Sequence, residues 1–353
     1  MKVFMIGGLY GGCNYVRCYL PMLHNGWTGN HAGIGQELKP VKVCEQEMIN
    51  ADIVVFHRPN TNWHHRVGMK LREMGKKIVF DNDDTMQLDN FHPFWNLDEK
   101  GFEENKDKVN NVINNFVLNA DLVTCSTEYL AKEYREINKN TFVLPNYVDS
   151  DDWDTPLRNK GDKVRIGLVG SVAYHHDFDR IQDVLRKLDA DDRIQLVVLG
   201  LVKKTSNNPK IAKVYKKEFA FWETLKNLEW TPWVKTVDYF DTLNELRLDI
   251  MLIPRRENHF NKAKSNVKFL EAGMLEIPVI AQSFKNAPYE DDIDGFNGLL
   301  VKDDKDWLTA IYSLVNNKEK RRNMGRLARE YTLKNYDINN HYKEWGEVYK
   351  TLL

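Results

Sequence analysis

Four residues late in the chain have types and spacing suited to holding an anion. Lys264, Ser265, Lys268 and Glu271 lie within NKAKSNVKFLEAGMLEIPVIAQ, Asn261 to Gln282. A helix beginning near Ser265 would put Ser265, Lys268 and Glu271 on neighbouring turns of one face, with Ser265 as its N-cap. Free N–H groups and the positive end of the helix dipole, reinforced by Lys264 and Lys268, suit a diphosphate. Glu271 would then face a polar group of the same ligand. Taken alone, the stretch also reads as a capped helix with one solvated face.

Two further groups stand near predicted strand ends. The run from Ala51 ends in His57 and Arg58, and the run Lys77 to Phe80 leads into Asp81, Asp83 and Asp84. Ligands of open α/β sheets sit at the carboxyl ends of strands, so a polar role facing a cleft is the functional reading of these acids. A solvated turn is the alternative, and a metal site lacks a further set of ligands at suitable spacing. Near the N-terminus, GGLYGG separates a strand over Lys2 to Ile6 from a helix carrying Arg17. Glycine lets backbone approach a ligand closely, which makes Gly11, Gly12 and Arg17 candidates for a donor or acceptor loop, with a plain structural turn as the alternative.

These residues need a scaffold, and strand and helix alternate along the chain. Strands are expected at Lys2 to Ile6, Ala51 to His57, Lys77 to Phe80, Asp121 to Ser126 and Thr141 to Pro145, with helices through Val67 to Met74 and Glu128 to Ile137. The segment DSDDWDTPLRNKGD is polar and contains Pro and Gly, as a linker does. The alternation then restarts at Val164 to Val169 and continues through Ile194 to Leu199 and Asp249 to Pro254. Apolar runs of this kind suit parallel sheets covered on both faces. The expected division is an N-terminal Rossmann-like domain over 1–148, a linker over 149–162 and a second Rossmann-like domain over 163–333. A helix over 334–353 is expected to return to the first domain.

Two stretches interrupt this pattern. Between Asp89 and Asn119, His92, Phe94 and Trp95 suit either a lid or acceptor surface or packing onto their own domain. Between Lys203 and Trp233, Lys203, Lys204, Lys210, Lys213, Lys216 and Lys217 interleave with Phe219, Phe221, Trp222, Trp230 and Trp233. Such a mixture can bind nucleic acid or a membrane face, but acids among these residues and the neutral overall charge favour a solvated helix beside core aromatics.

Composition sets bounds on function. With 353 residues, 42% apolar, the chain suits two cores rather than one. Fifty basic and fifty-one acidic residues leave a net charge of -1, so nothing global calls for nucleic acid or an anionic membrane. Cys13, Cys18, Cys44 and Cys125 form no CxxC pair, and no apolar run reaches the length of a membrane span or a signal peptide. A cytoplasmic location is expected.

Several stretches, in this order, resemble the GT-B glycosyltransferases and in particular the retaining glycosyltransferase family 4, also called group 1. They are ADLVTCSTEYL, VLPNYVD, VRIGLVGS, LDIMLIP, KSNVKFLEAGMLEIPVIA and DGFNGLLV, and they cover most of the chain from Asp121 to Val301. The N-terminal third resembles the family only in outline, and the N-terminal half has partial similarity to phage-encoded group 1 enzymes. The resemblance implies an α/β fold of GT-B architecture, two Rossmann-like domains with parallel sheets facing across a cleft.

It also implies roles. Glu271 matches the family's second motif glutamate and would bind the nucleotide ribose hydroxyls. Gly170 and Ser171 match the turn beside the diphosphate, where the family's Arg and Lys are replaced by Ser171 and by His175 and His176. The diphosphate charge is then left to Lys264, Lys268 and Arg255, with His176 near the donor. The first motif glutamate falls on Ala263. Asp83 and Asp84 stand where family members carry a His-Asp pair facing the donor sugar, so either is a candidate to stabilise an oxocarbenium-like centre. The expected reaction moves a sugar from a nucleotide-diphosphate donor to an acceptor hydroxyl, with retention, without a metal ion and with no cofactor. The acceptor is open among a glycan, a lipid-linked sugar, a protein and a hydroxymethylated DNA base. The alternatives are a non-catalytic sugar-nucleotide or glycan-binding protein of the same fold, and a sugar-nucleotide epimerase.

Overall fold

The computed structural model describes residues 1–7, 11–31, 38–85, 110–171, 174–201 and 216–353. Within them the chain forms two six-stranded sheets, each parallel throughout. The first contains β1 (Val3–Ile6), β2 (Thr28–Gly29), β3 (Ile53–His57), β4 (Lys77–Asn82), β5 (Leu122–Cys125) and β6 (Thr141–Val143), in the order β2-β1-β3-β4-β5-β6. The second contains β7 (Val164–Val169), β8 (Ile194–Leu199), β9 (Leu228–Thr231), β10 (Ile250–Ile253), β11 (Val279–Gln282) and β12 (Gly298–Val301), in the order β12-β11-β10-β7-β8-β9. The α/β class and the pair of Rossmann-like sheets agree with the sequence.

The unbroken apolar runs of the strands follow from burial on both faces. Along β3, Val54 and Phe56 enter one core while Ile53 and Val55 enter another. Along β10, Ile250 and Leu252 face one side, and Met251 and Ile253 the other. Successive side chains point to opposite faces, so a strand between two helical layers must be apolar at every position. β4 runs past Phe80 to Asn82, which takes Asp81 into the sheet, where it is wholly buried.

The chain passes between the sheets twice, and the two passages lie side by side. Residues after β6 lead to Val148, whose N–H donates to the Tyr336 carbonyl at 3.0 Å, while the Ile338 N–H donates to the Val148 carbonyl at 2.8 Å. Helix Lys318–Tyr336 packs on helix Val267–Met274 in the second half, and helices Ile338–His341 and Lys343–Lys350 follow it. Trp345 and Tyr349 of the last helix are fully buried with Val3, Met5, Ile53 and Val79 of the first sheet.

Candidate functional site

On the side of the first sheet, the site begins with a buried polar cluster. Asp81 accepts hydrogen bonds from Arg17 Nε at 3.1 Å and Nη2 at 2.5 Å, and from Thr124 Oγ1 at 2.6 Å; His57 Nδ1 lies 2.9 Å away. Burial alone would raise the Asp81 pKa, but the Arg17 guanidinium beside it holds the carboxyl below its ordinary value. Arg17 also donates to the Leu144 carbonyl and to Asn146 Oδ1, and it stacks over Trp345 with 4.5 Å to the ring centroid. Arg17 is therefore not a ligand-facing loop residue. A glycine-rich turn before a helix suggested one, but an arginine with no exposure and a full set of internal acceptors is committed to the core.

Just beyond β4, Asp83 and Asp84 reach the surface of a cleft. Arg58 adopts a left-handed backbone conformation with φ of 51°, uncommon for a residue with a side chain. From there its Nε donates to Asp83 Oδ1 at 2.7 Å, and its Nη2 lies 3.5 Å from Asp84 Oδ2 and 3.3 Å from Cys13 Sγ. Burial would raise the Asp83 pKa, but Arg58 keeps the carboxyl far below the usual range, so Asp83 is an anion at any physiological pH.

The facing wall comes from the second half. Helix Val267–Met274 starts one residue later than the spacing suggests, with Asn266 at the N-cap position and no side-chain capping bond. Ser265 is not the cap, because its Oγ accepts from Asn146 Nδ2 at 2.9 Å across the cleft. Lys268 and Glu271 do share a face. Lys268 Nζ is 2.7 Å from Glu271 Oε2 and donates to Tyr239 Oη at 2.8 Å, and Tyr239 Oη donates in turn to Glu271 Oε2 at 2.7 Å. Burial would depress the Lys268 pKa, but Glu271 raises it well above normal, so the ammonium stays charged. Arg255 is 2% exposed, bonded to Asp177 Oδ2 at 2.9 Å and stacked over Tyr174 at 4.1 Å. Ala263 is wholly buried against the core of the first sheet, its carbonyl facing Thr127 Oγ1.

The two walls enclose a cavity of about 420 Å³. Gly11, Gly12, Asp83 and Asp84 line it from one side; Gly170, Ser171, Arg255, Lys264, Ser265, Lys268 and Glu271 line it from the other. Lys264 Nζ crosses the cleft to Asp84 Oδ2 and lies 4.1 Å above the Phe260 ring. Of the residues singled out in the sequence, Arg17, His57, Arg58, Asp81 and His176 are not on the cavity wall, and Asp81, expected to face the cleft, is wholly buried beneath Arg17 and Thr124 instead. His176 sits in the short helix His175–Asp179, set back from the wall.

Sequence reasoning missed several wall residues. Tyr239, in the helix Thr236–Glu245, was not singled out in the sequence, and only the fold reveals its bonds to Lys268 and Glu271. Trp233 is 63% exposed at the cavity edge. Asp152 lies in the linker, its Oδ2 buried with no hydrogen-bond partner. Phe221 and Trp222, by contrast, belong to the second core, the role favoured for aromatics there. His92, Phe94, Trp95, Lys203, Lys204, Lys210 and Lys213 lie outside the described residues. Among the described residues no group of His, Cys, Asp and Glu suits a metal ion, and no helix is long and apolar enough to cross a membrane.

Comparison with known proteins places this architecture. The fold matches sucrose-phosphate synthase from Thermosynechococcus elongatus with a TM-score of 0.68 at 14% identity, covering 100% of this chain and 99% of that one. It matches HepE from Anabaena, in complex with UDP and glucose, with a TM-score of 0.68 at 12% identity, over 99% of this chain and 100% of that one. TarM matches with a TM-score of 0.58 at 16% identity over 84% of this chain, which spans only 54% of TarM. Comparison with curated protein sequences finds no match. The family model for glycosyl transferases group 1 matches residues 149–331. That match covers more than half of the chain and includes one whole wall of the cavity, so the protein belongs to the glycosyl transferases group 1 family.

Proposed function

We propose that the protein transfers a sugar from a nucleotide-diphosphate donor to an acceptor hydroxyl, with retention of anomeric configuration and without a metal ion. The observation that carries this reading is the opposition, across one cavity, of Asp83 and Asp84 to Lys264, Lys268 and Glu271. A leaving diphosphate gains negative charge as the glycosidic bond lengthens, and fixed cations aimed at it lower the barrier. Lys264 and Lys268 supply that charge. Glu271, already an acceptor for Tyr239 and Lys268, takes the ribose hydroxyls as further donors. Asp83, locked by Arg58 and permanently ionised, faces the positive charge that develops at the anomeric carbon.

Release of nucleoside diphosphate from a panel of sugar nucleotides tests this reading. UDP-sugars come first, given the UDP and glucose in the HepE complex. Lys268→Ala is expected to lower kcat/KM by about 10² to 10³, the range seen when a charge-stabilising donor is removed, and Glu271→Ala, which removes the acceptor for the ribose hydroxyls, is expected to lower it sharply as well. Wild-type turnover in both variants sinks the assignment. Proton NMR of the product reads the anomeric configuration directly, and inversion overturns the stereochemical part alone. Activity abolished by EDTA and restored by a divalent cation overturns the metal-independent part.

A further inference from the structure

We infer that Asp84 is not part of the reacting centre but competes with the donor's diphosphate for Lys264, and so sets how tightly the protein holds a nucleoside diphosphate. The inference rests on the donor-site reading above and assigns one of its residues a different task.

The adjacent acids have unlike surroundings. Asp83 is tied by Arg58 Nε at 2.7 Å, with His57 Nε2 at 3.8 Å, and both partners belong to its own half of the molecule. Asp84 instead reaches across the cleft, where its Oδ2 lies 2.5 Å from Lys264 Nζ. Burial would lower the Lys264 pKa, and Asp84 beside it raises it instead, so the ammonium keeps its charge. Lys264 is thus a cation of the cavity wall that is already held by a carboxylate from the opposite wall.

A diphosphate oxygen that takes Lys264 must displace Asp84. The exchange is easy on the side Asp84 leaves, because the carboxylate keeps Arg58 Nη2 at 3.5 Å and the Thr85 N–H at 3.1 Å. It is favourable on the side Lys264 gains, because a diphosphate carries more negative charge than one carboxylate. The displaced anion nonetheless remains beside the bound diphosphate and repels it. Opening this contact does not open the whole cleft. Asn146 still donates to Ser265, and His259 still meets Thr85, Tyr129 and Glu133. The exchange is therefore local, a change of partner at Lys264 with the walls in place.

Calorimetric binding of UDP, GDP and ADP to wild type, Asp84→Asn, Lys264→Ala and the double variant tests this, with thermal unfolding to confirm that each is folded. Asp84→Ser replaces Asp84→Asn if the latter is not. Removing the competing charge is expected to tighten the preferred nucleoside diphosphate by about tenfold, a Coulomb effect of one charge at short range in a partly solvated site. Lys264→Ala is expected to weaken it, and the gain from Asp84→Asn should vanish in the Lys264→Ala background, as coupling between the two requires. Unchanged or weaker binding by a folded Asp84 variant, with Lys264→Ala still impaired, overturns this inference and leaves the donor site standing. A wild type that binds none of the three brings down the donor-site reading and this inference with it.

Discussion

Asp152 places a carboxyl on the cavity wall with no partner for its buried Oδ2. Burial pushes its pKa from 3.8 up to about 6. Because the folded value lies above the unfolded one, the folded protein binds this proton more tightly. Above pH 6 the native state carries an unfavourable buried charge; the penalty fades as pH falls from 6 to 3.8 and is absent below that. Asp152→Asn is thus expected to stabilise the protein at pH 8 by about 1 kcal/mol, the shift being discounted because the side chain is only half-buried. At pH 4 it should change nothing. Urea denaturation at the two pH values checks this, and a gain equal at both would mean that the effect is steric rather than electrostatic. Such a residue is invisible in the sequence, where DSDD reads only as linker. Arg17 misled for a related reason, since its partner Asp81 lies 64 positions away and no local pattern records that pairing.

The strands were legible because parallel strands buried on both faces must be apolar throughout, and runs such as ADIVVFH have few other uses. The start of helix Val267–Met274 was less so. Ser265 is a good N-cap residue by type, but its hydroxyl is taken by Asn146 from the opposite wall, and the helix begins beyond it. What fixes this helix is its contact with helix Lys318–Tyr336, where the close approach is made by glycine. A Cβ at Gly325 would stand 1.9 Å from the Glu276 carbonyl oxygen, and one at Gly273 would stand 2.4 Å from Thr332 Oγ1. The first clash is with backbone and has no rotamer escape. Gly325→Ala is accordingly expected to push the helices apart and destabilise the protein by about 1–3 kcal/mol, as overpacking does. Because Lys268 and Glu271 ride on the displaced helix, nucleoside diphosphate binding should weaken as well. Unchanged stability in denaturant would show that the helix pair yields without strain.

The cleft is held by a chain that leaves the first half at Val148 and returns at Ile338, so the last helix completes a core begun by the first strand. Trp345 links that core to the site. It packs beside Val3, Met5 and Ile53, and Arg17, stacked on its ring, holds both Asp81 and the Asn146 that reaches Ser265. Truncating Trp345 to Ala removes a fully buried indole, at a cost of about 3–5 kcal/mol. The loss falls on one half, since the second sheet has its own two cores. Hydrogen exchange should therefore accelerate in β1 and β3 and stay unchanged in β7, β8 and β10. Nucleoside diphosphate affinity should fall too, although residue 345 does not line the cavity, because the wall bearing Asn146 loosens while that bearing Lys268 does not. Equal acceleration in both sheets would mean that the halves unfold as one unit, and that the returning helix braces the whole molecule rather than the wall it covers.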